Sequence, residues 1–136
     1  MFAADRVFIE TLIQKARSYI FTTAQPAAVA AASSAALKLI DTESWRRDYL
    51  VSLVQRFRQG AHQLDLPLMP SQTPIQPLLA GSAEQAVSWA GQLRQQGLLV
   101  TAIRPPTVPE GKARLRITFS ASHTEQQVDQ LLRDER

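Results

Sequence analysis

Eight prolines decide where regular structure can run in this 136-residue chain; they stand at 26, 67, 70, 74, 77, 105, 106 and 109. Each fixes its own φ and removes a backbone donor, so helices and central strands must lie between the groups. Pro26 suits the first turn of a helix, where its missing N–H is not needed. The four between 67 and 77 read as a crossing connection ending in a short strand, residues 75–79, which Pro77 makes an edge or irregular strand. The last three lie in Arg104-Pro105-Pro106-Thr107-Val108-Pro109, which cannot be regular, and Glu110-Gly111-Lys112 then turns the chain.

Between these breaks the periodicity is clear. Phe8, Leu12 and Ile13, with Ile9 and Ala16, predict an amphipathic helix over residues 5–17. Ser18 to Thr23 is β-branched and aromatic and reads as extended. Residues 27–36 hold seven alanines, and Leu37 and Ile40 close the apolar face of a helix running to 40. Alanine is the best helix former but buries little area, so this helix needs a partner surface. Residues 44–62 form a further helix, apolar at Trp45, Tyr49, Leu50, Leu53, Val54 and Phe57, with Gly60 marking its end. Ser82 and Gln85 make a capping box for a helix that stops at Gly97. Leu98 to Ile103 and Ala113 to Phe119 are strands, and Thr124 with Gln127 caps a last helix turned inward at Val128, Leu131 and Leu132. The fold class is therefore α+β: a small antiparallel sheet covered by helices, preceded by long helices.

Composition removes several chemistries. There is no cysteine, hence no disulfide, thiolate metal site or thiol nucleophile. Two histidines, His62 and His123, cannot build a three-histidine zinc site, and both read as surface residues. The five glycines match neither a dinucleotide fingerprint nor a P-loop. The formal charge of +3 comes from twelve arginines and three lysines scattered among acids, so no nucleic-acid partner is expected. Residues 1–10 carry Asp5, Arg6 and Glu10 and lack a signal-peptide core, and residues 26–40 fall short of the ~20 apolar residues that span a bilayer. A cytoplasmic protein without a membrane partner is the expectation.

Two features could carry chemistry. On the last strand, Leu115, Ile117 and Phe119 share one face, and Arg114, Arg116 and Thr118 the other. That arginine pair is either the wet face of an antiparallel sheet or a grip for a carboxylate. Thr22 and Thr23, just before the Pro26 helix, are either ordinary capping residues or an anion site. Trp45 and Trp89 sit on apolar helix faces and read as core.

Two stretches together resemble a family. Residues 101–109, Thr-Ala-Ile-Arg-Pro-Pro-Thr-Val-Pro, followed by Ala113-Arg114-Leu115-Arg116-Ile117-Thr118, resemble the C-terminal signature of the α-oxoamine synthases. These are pyridoxal-phosphate enzymes of fold type I, and the proline turn is closest to the branch that makes 8-amino-7-oxononanoate. Tyr19-Ile20-Phe21-Thr22-Thr23-Ala24-Gln25-Pro26 resembles the family's hydroxyl pair before a proline. The resemblance implies that Arg116 holds the amino-acid carboxylate, with Arg114 a neighbour, and that Thr107 contacts substrate. It implies that Thr22 and Thr23 reach the cofactor phosphate of the other subunit of a homodimer. The branch condenses L-alanine with a pimeloyl thioester, on coenzyme A or a carrier protein, for biotin synthesis.

The chain departs from that family in one large respect. None of Lys15, Lys38 and Lys112 matches the Schiff-base position, so no catalytic residue is assigned. Residues 1–62 are expected to be the end of the large cofactor domain with its connecting helices, and 63–136 the small C-terminal domain. Alone, such a chain is expected to be inactive. Two alternatives stay open: a non-catalytic module that keeps the small-domain fold and binds a partner, or another α-oxoamine synthase, of the 2-amino-3-ketobutyrate CoA ligase type.

Overall fold

A computed structural model describes residues 4–134, which group into two compact units, one up to Thr42 and one from Glu43. In the first, helix α1 spans Arg6–Lys15 and the Asp5 carboxylate caps it by accepting from the Val7 N–H at 2.9 Å. Helix α2 spans Ala27–Thr42, starting as Pro26 requires: the Pro26 carbonyl accepts from Val29 and Ala30. Neither helix contains a buried residue, and Val29, Leu37, Leu39 and Ile40 are all exposed.

The stretch from Ser18 to Thr23 is not extended. Tyr19 and Ile20 donate to the Ala16 carbonyl and Thr22 to that of Tyr19, closing hydrogen-bonded turns. Strand propensity is a preference for packing on a pleated surface, and among the described residues of this unit no strand offers one, so local bonds prevail.

The second unit follows the expected order. Helix α3 spans Trp45–Gln63, β1 Ile75–Gly81, α4 Ala83–Gln95, β2 Thr101–Ile103, β3 Ala113–Thr118 and α5 Glu125–Asp134. The sheet is antiparallel in the order β1-β3-β2. Pro77 is tolerated because its missing donor faces away from β3, towards residues 67–69, where the Pro77 carbonyl still accepts from Met69. Strand β2 is shorter than expected, since the Leu98 N–H closes the end of α4 by donating to Leu93 beside the left-handed Gly97. Capping follows the sequence: Ser82 Oγ accepts from the Gln85 N–H, and Thr124 and Gln127 satisfy each other's backbone donors at 2.9 and 3.3 Å.

One face of the sheet carries the core. Leu78, Leu115 and Ile117 pack with Leu53, Val54, Phe57 and Ala61 of α3, Leu93 of α4, and Val128 and Leu131 of α5. Phe57 meets Phe119 with ring centroids 5.1 Å apart. Burying each such side chain contributes roughly 1.5–3 kcal/mol. Because α3 shares this core, the units divide at Thr42 and Glu43, whereas the sequence places a boundary at 62/63. Gly60 lies inside α3 facing Leu132, not at the helix end. Trp89 packs against the core, but Trp45 is 54% exposed with Arg46 stacked on its ring at 4.9 Å. A tryptophan in the first turn of α3 precedes the part of the helix that reaches the sheet.

Candidate functional site

The helices of this second unit pack on one face of the sheet, and register decides what stands on the other. Arg116 of β3 pairs with Pro77 of β1 on one side and Thr101 of β2 on the other. Arg114 pairs with Leu79 and Ile103. The two arginines are two residues apart and share a face, as period-two geometry requires. Their surroundings differ. Arg114 Nε donates to the Lys112 carbonyl at 3.1 Å and its Nη1 approaches Met69 Sδ at 3.5 Å. Arg116 is exposed and has no hydrogen-bond or ion-pair partner among the described residues. An unengaged guanidinium offers paired, planar donors that fit a carboxylate.

Thr107 lies in the turn joining β2 to β3, beyond the cis Pro105–Pro106 bond. Its backbone N–H closes the turn on the Arg104 carbonyl at 3.1 Å, and its exposed hydroxyl is unengaged. Arg116, on β3, and Thr107, on the turn that leads into β3, therefore belong to the same unit. Thr22 and Thr23 belong to the other unit, ahead of the N-terminus of α2. The Thr22 hydroxyl donates to the Tyr19 carbonyl at 2.7 Å, which commits its proton, whereas the Thr23 hydroxyl remains available.

Other titratable groups act locally. His62 is exposed; His123 is half-buried, its Nδ1 accepting from the Ser120 N–H at 3.1 Å. Glu84 is held below the usual carboxylate range by its own backbone N–H and then by Ser82, as befits the first turn of α4. No group of three metal-ligating side chains occurs among the described residues. Nor is any described helix long and apolar enough to cross a membrane. Sequence reasoning missed Thr101 as the neighbour of Arg116 and Met69 as that of Arg114, because neither follows from local periodicity.

Residues 1–134 match the model of the family described as aminotransferase class I and II. The chain is 62% identical over 130 residues to an 8-amino-7-oxononanoate synthase from Nitrosococcus oceani, covering 96% of this chain and 34% of that protein. It superposes on an 8-amino-7-oxononanoate synthase from Francisella tularensis with a TM-score of 0.81 at 28% identity, covering 97% and 38%. It is likewise similar to a serine palmitoyltransferase variant from S. paucimobilis with a bound PLP–myriocin aldimine, with a TM-score of 0.86 at 26% identity, covering 97% and 34%. The chain thus spans about a third of the length of the curated relatives it matches.

The residues present do not fit pyridoxal phosphate as a covalently held group. Its partner would have to be an enclosed lysine amine, and Lys15, Lys38 and Lys112 are all exposed. What the chain does offer is hydroxyls and one unengaged arginine on the sheet face opposite the core.

Proposed function

This chain belongs to the class I and II aminotransferase family, and on that premise we propose that it is the C-terminal part of an 8-amino-7-oxononanoate synthase. The complete enzyme, in this reading, condenses L-alanine with a pimeloyl thioester, with loss of carbon dioxide, for biotin synthesis. Pyridoxal phosphate supplies an electron sink for the α-carbon when bound there. These residues bring no covalent seat for it, so the chain by itself is inactive.

Its own residues bind and orient. Arg116 holds the alanine carboxylate and fixes the face of the α-carbon that reacts. Thr107, on the rigid proline turn, contacts the substrate beside it. The Thr22–Thr23 pair serves the cofactor phosphate of the other subunit in a homodimer, with the Thr23 hydroxyl as donor and Thr22 holding the turn that presents it. The observation that carries the reading is the contrast between the two arginines: Arg114 is engaged with Lys112 and Met69, and Arg116 is not.

The test is a chimera in which these 136 residues replace the matching segment of the Nitrosococcus oceani relative. Product is measured from L-alanine and pimeloyl-CoA. Losing two charge-assisted bonds of ~1.5–3 kcal/mol each predicts a fall in kcat/KM for alanine of about 10²- to 10⁴-fold in Arg116→Ala. Arg114→Ala should lose less than about tenfold, since it removes only local bonds. Equal losses, or none, in a folded chimera would refute the assignment.

A further inference from the structure

One stripe of α3 is apolar between two cations. Arg47, the pair Leu50 and Val51, Val54 and Arg58 follow one another at steps of three or four residues, which places them on one face with the arginines about 16 Å apart along the axis. With the loop from Ser71 to Pro74 they line an open groove of about 440 Å³. That volume lies in the range of small-molecule sites, and apolar walls with a few placed polar groups are their usual lining.

The polar end of this groove is fixed by a buried residue. Gln76 of β1 is the buried polar side chain among the described residues, fully enclosed. Its Oε1 accepts from Arg58 Nη1 at 2.6 Å and its Nε2 donates to the Thr73 carbonyl at 2.6 Å. The loop hydroxyls are occupied within the loop: Ser71 Oγ and Thr73 Oγ1 both donate to the Ile75 carbonyl, at 2.6 and 3.3 Å. Arg58 is half-buried, and no carboxylate lies within ion-pair distance of it among the described residues. A guanidinium drawn partly out of water and held by a neutral amide keeps its charge uncompensated, and an anion is the partner it lacks.

We propose that this groove is a second ligand site, for an aliphatic carboxylate, with the head group on Arg58 and the chain along Leu50, Val51 and Val54. It is distinct from the Arg116 face. Gln76 pairs with Ile117 on the side the helices cover, whereas Pro77 pairs with Arg116 on the other side. The site therefore does not depend on the reaction proposed above.

Decanoate is the probe, titrated calorimetrically into the 136-residue chain and into the full-length chimera, with amide NMR shifts followed in the chain. Saturable binding is expected in both, with the largest shifts at residues 50–58 and 71–74. Decanamide, which lacks the charge, should bind at least about tenfold more weakly. Val51→Asp, at a position 55% exposed, sets a like charge in the groove and should abolish binding with thermal unfolding unchanged. Arg58→Lys should weaken binding several-fold while the fold persists. Equal binding of decanamide, binding unaffected by Val51→Asp, or no binding in the chimera overturns the proposal. The last outcome would mean that residues outside this chain fill the groove.

Discussion

A single methyl at Gly60 tests how closely α3 and α5 meet. A Cβ there would stand 2.3 Å from Leu132 Cδ1, 3.1 Å from Cδ2 and 3.2 Å from Cγ. Rotating the end of the leucine can turn its methyls aside but leaves Cγ at 3.2 Å, so the side chain, or α5 with it, must also give by a few tenths of an ångström. Overpacking of this kind costs about 1–3 kcal/mol. Against it, replacing glycine by alanine inside a helix recovers roughly 0.5–1 kcal/mol. The net expectation for Gly60→Ala is a loss of about 1 kcal/mol, or roughly 4–8 °C in Tm for a unit of this size. Leu132→Ala removes the obstacle, and Gly60→Ala in that background should stabilise by roughly 0.5–1 kcal/mol. Urea unfolding of the four chains, followed by fluorescence of the core-packed Trp89, measures the cycle. The reversal of sign is the signature. If Gly60→Ala has the same effect in both backgrounds, close approach is not what the glycine serves.

Three further outcomes follow from other parts of the chain. Arg56 donates to both carboxylate oxygens of Asp129, at 2.7 and 2.8 Å, and this bond first, with its charge, holds Asp129 below its ordinary 3.8. A depressed folded-state value means the contribution is complete above 3.8 and fades as pH falls through the lowered value, so Asp129→Asn should flatten the acid limb of stability at low salt; unchanged limbs would refute this. Since α1 and α2 bury no side chain, trypsin should cut first at Lys15, Arg17 and Lys38 and leave a resistant product beginning near Arg46, and equally fast cleavage within α3 or α4 would contradict that. Pyridoxal phosphate mixed with the chain and reduced with borohydride should give no stoichiometric adduct, and a full adduct on Lys15, Lys38 or Lys112 in mass spectrometry would show that an exposed lysine suffices.

The parts of the fold that were legible in the sequence are those fixed by near neighbours. The alternation of residues 113–119 places Leu115 and Ile117 in the core and Arg116 outside it because a strand's period is two. Gly97 ends α4 and Thr124 starts α5 for reasons contained within four residues. What was not legible depends on distant partners. Gly60 looks like a helix terminator until Leu132 is found against it. Ser18 to Thr23 looks like a strand until, with no strand among the described residues of its unit, the turn bonds prevail. Trp45 looks like core until the length of α3 carries it past the sheet.

The candidate site shows the same division at the level of a single pair. From sequence alone Arg114 and Arg116 are equivalent: same residue type, same strand, same face. Met69, 45 residues away in sequence, and the Lys112 carbonyl engage the first and not the second. Cross-strand neighbours complete the difference. Beside Arg116 the register sets Pro77 and Thr101, neither of which carries charge. Directly opposed side chains interact, so a carboxylate at 77 or 101 would pair with Arg116 across the ladder and occupy the donors that the proposed substrate carboxylate would use. Proline at 77 meets two demands at once: its ring cannot pair with the guanidinium, and its missing N–H lies on the side of β1 away from β3, where the ladder does not need it. A shift of one residue in the β1–β3 pairing would set Gln76 or Leu78 beside Arg116 and turn the buried amide out of the core. The openness of that one arginine is therefore a property of register, held by the same packing of Leu78 on Leu115 that holds the sheet.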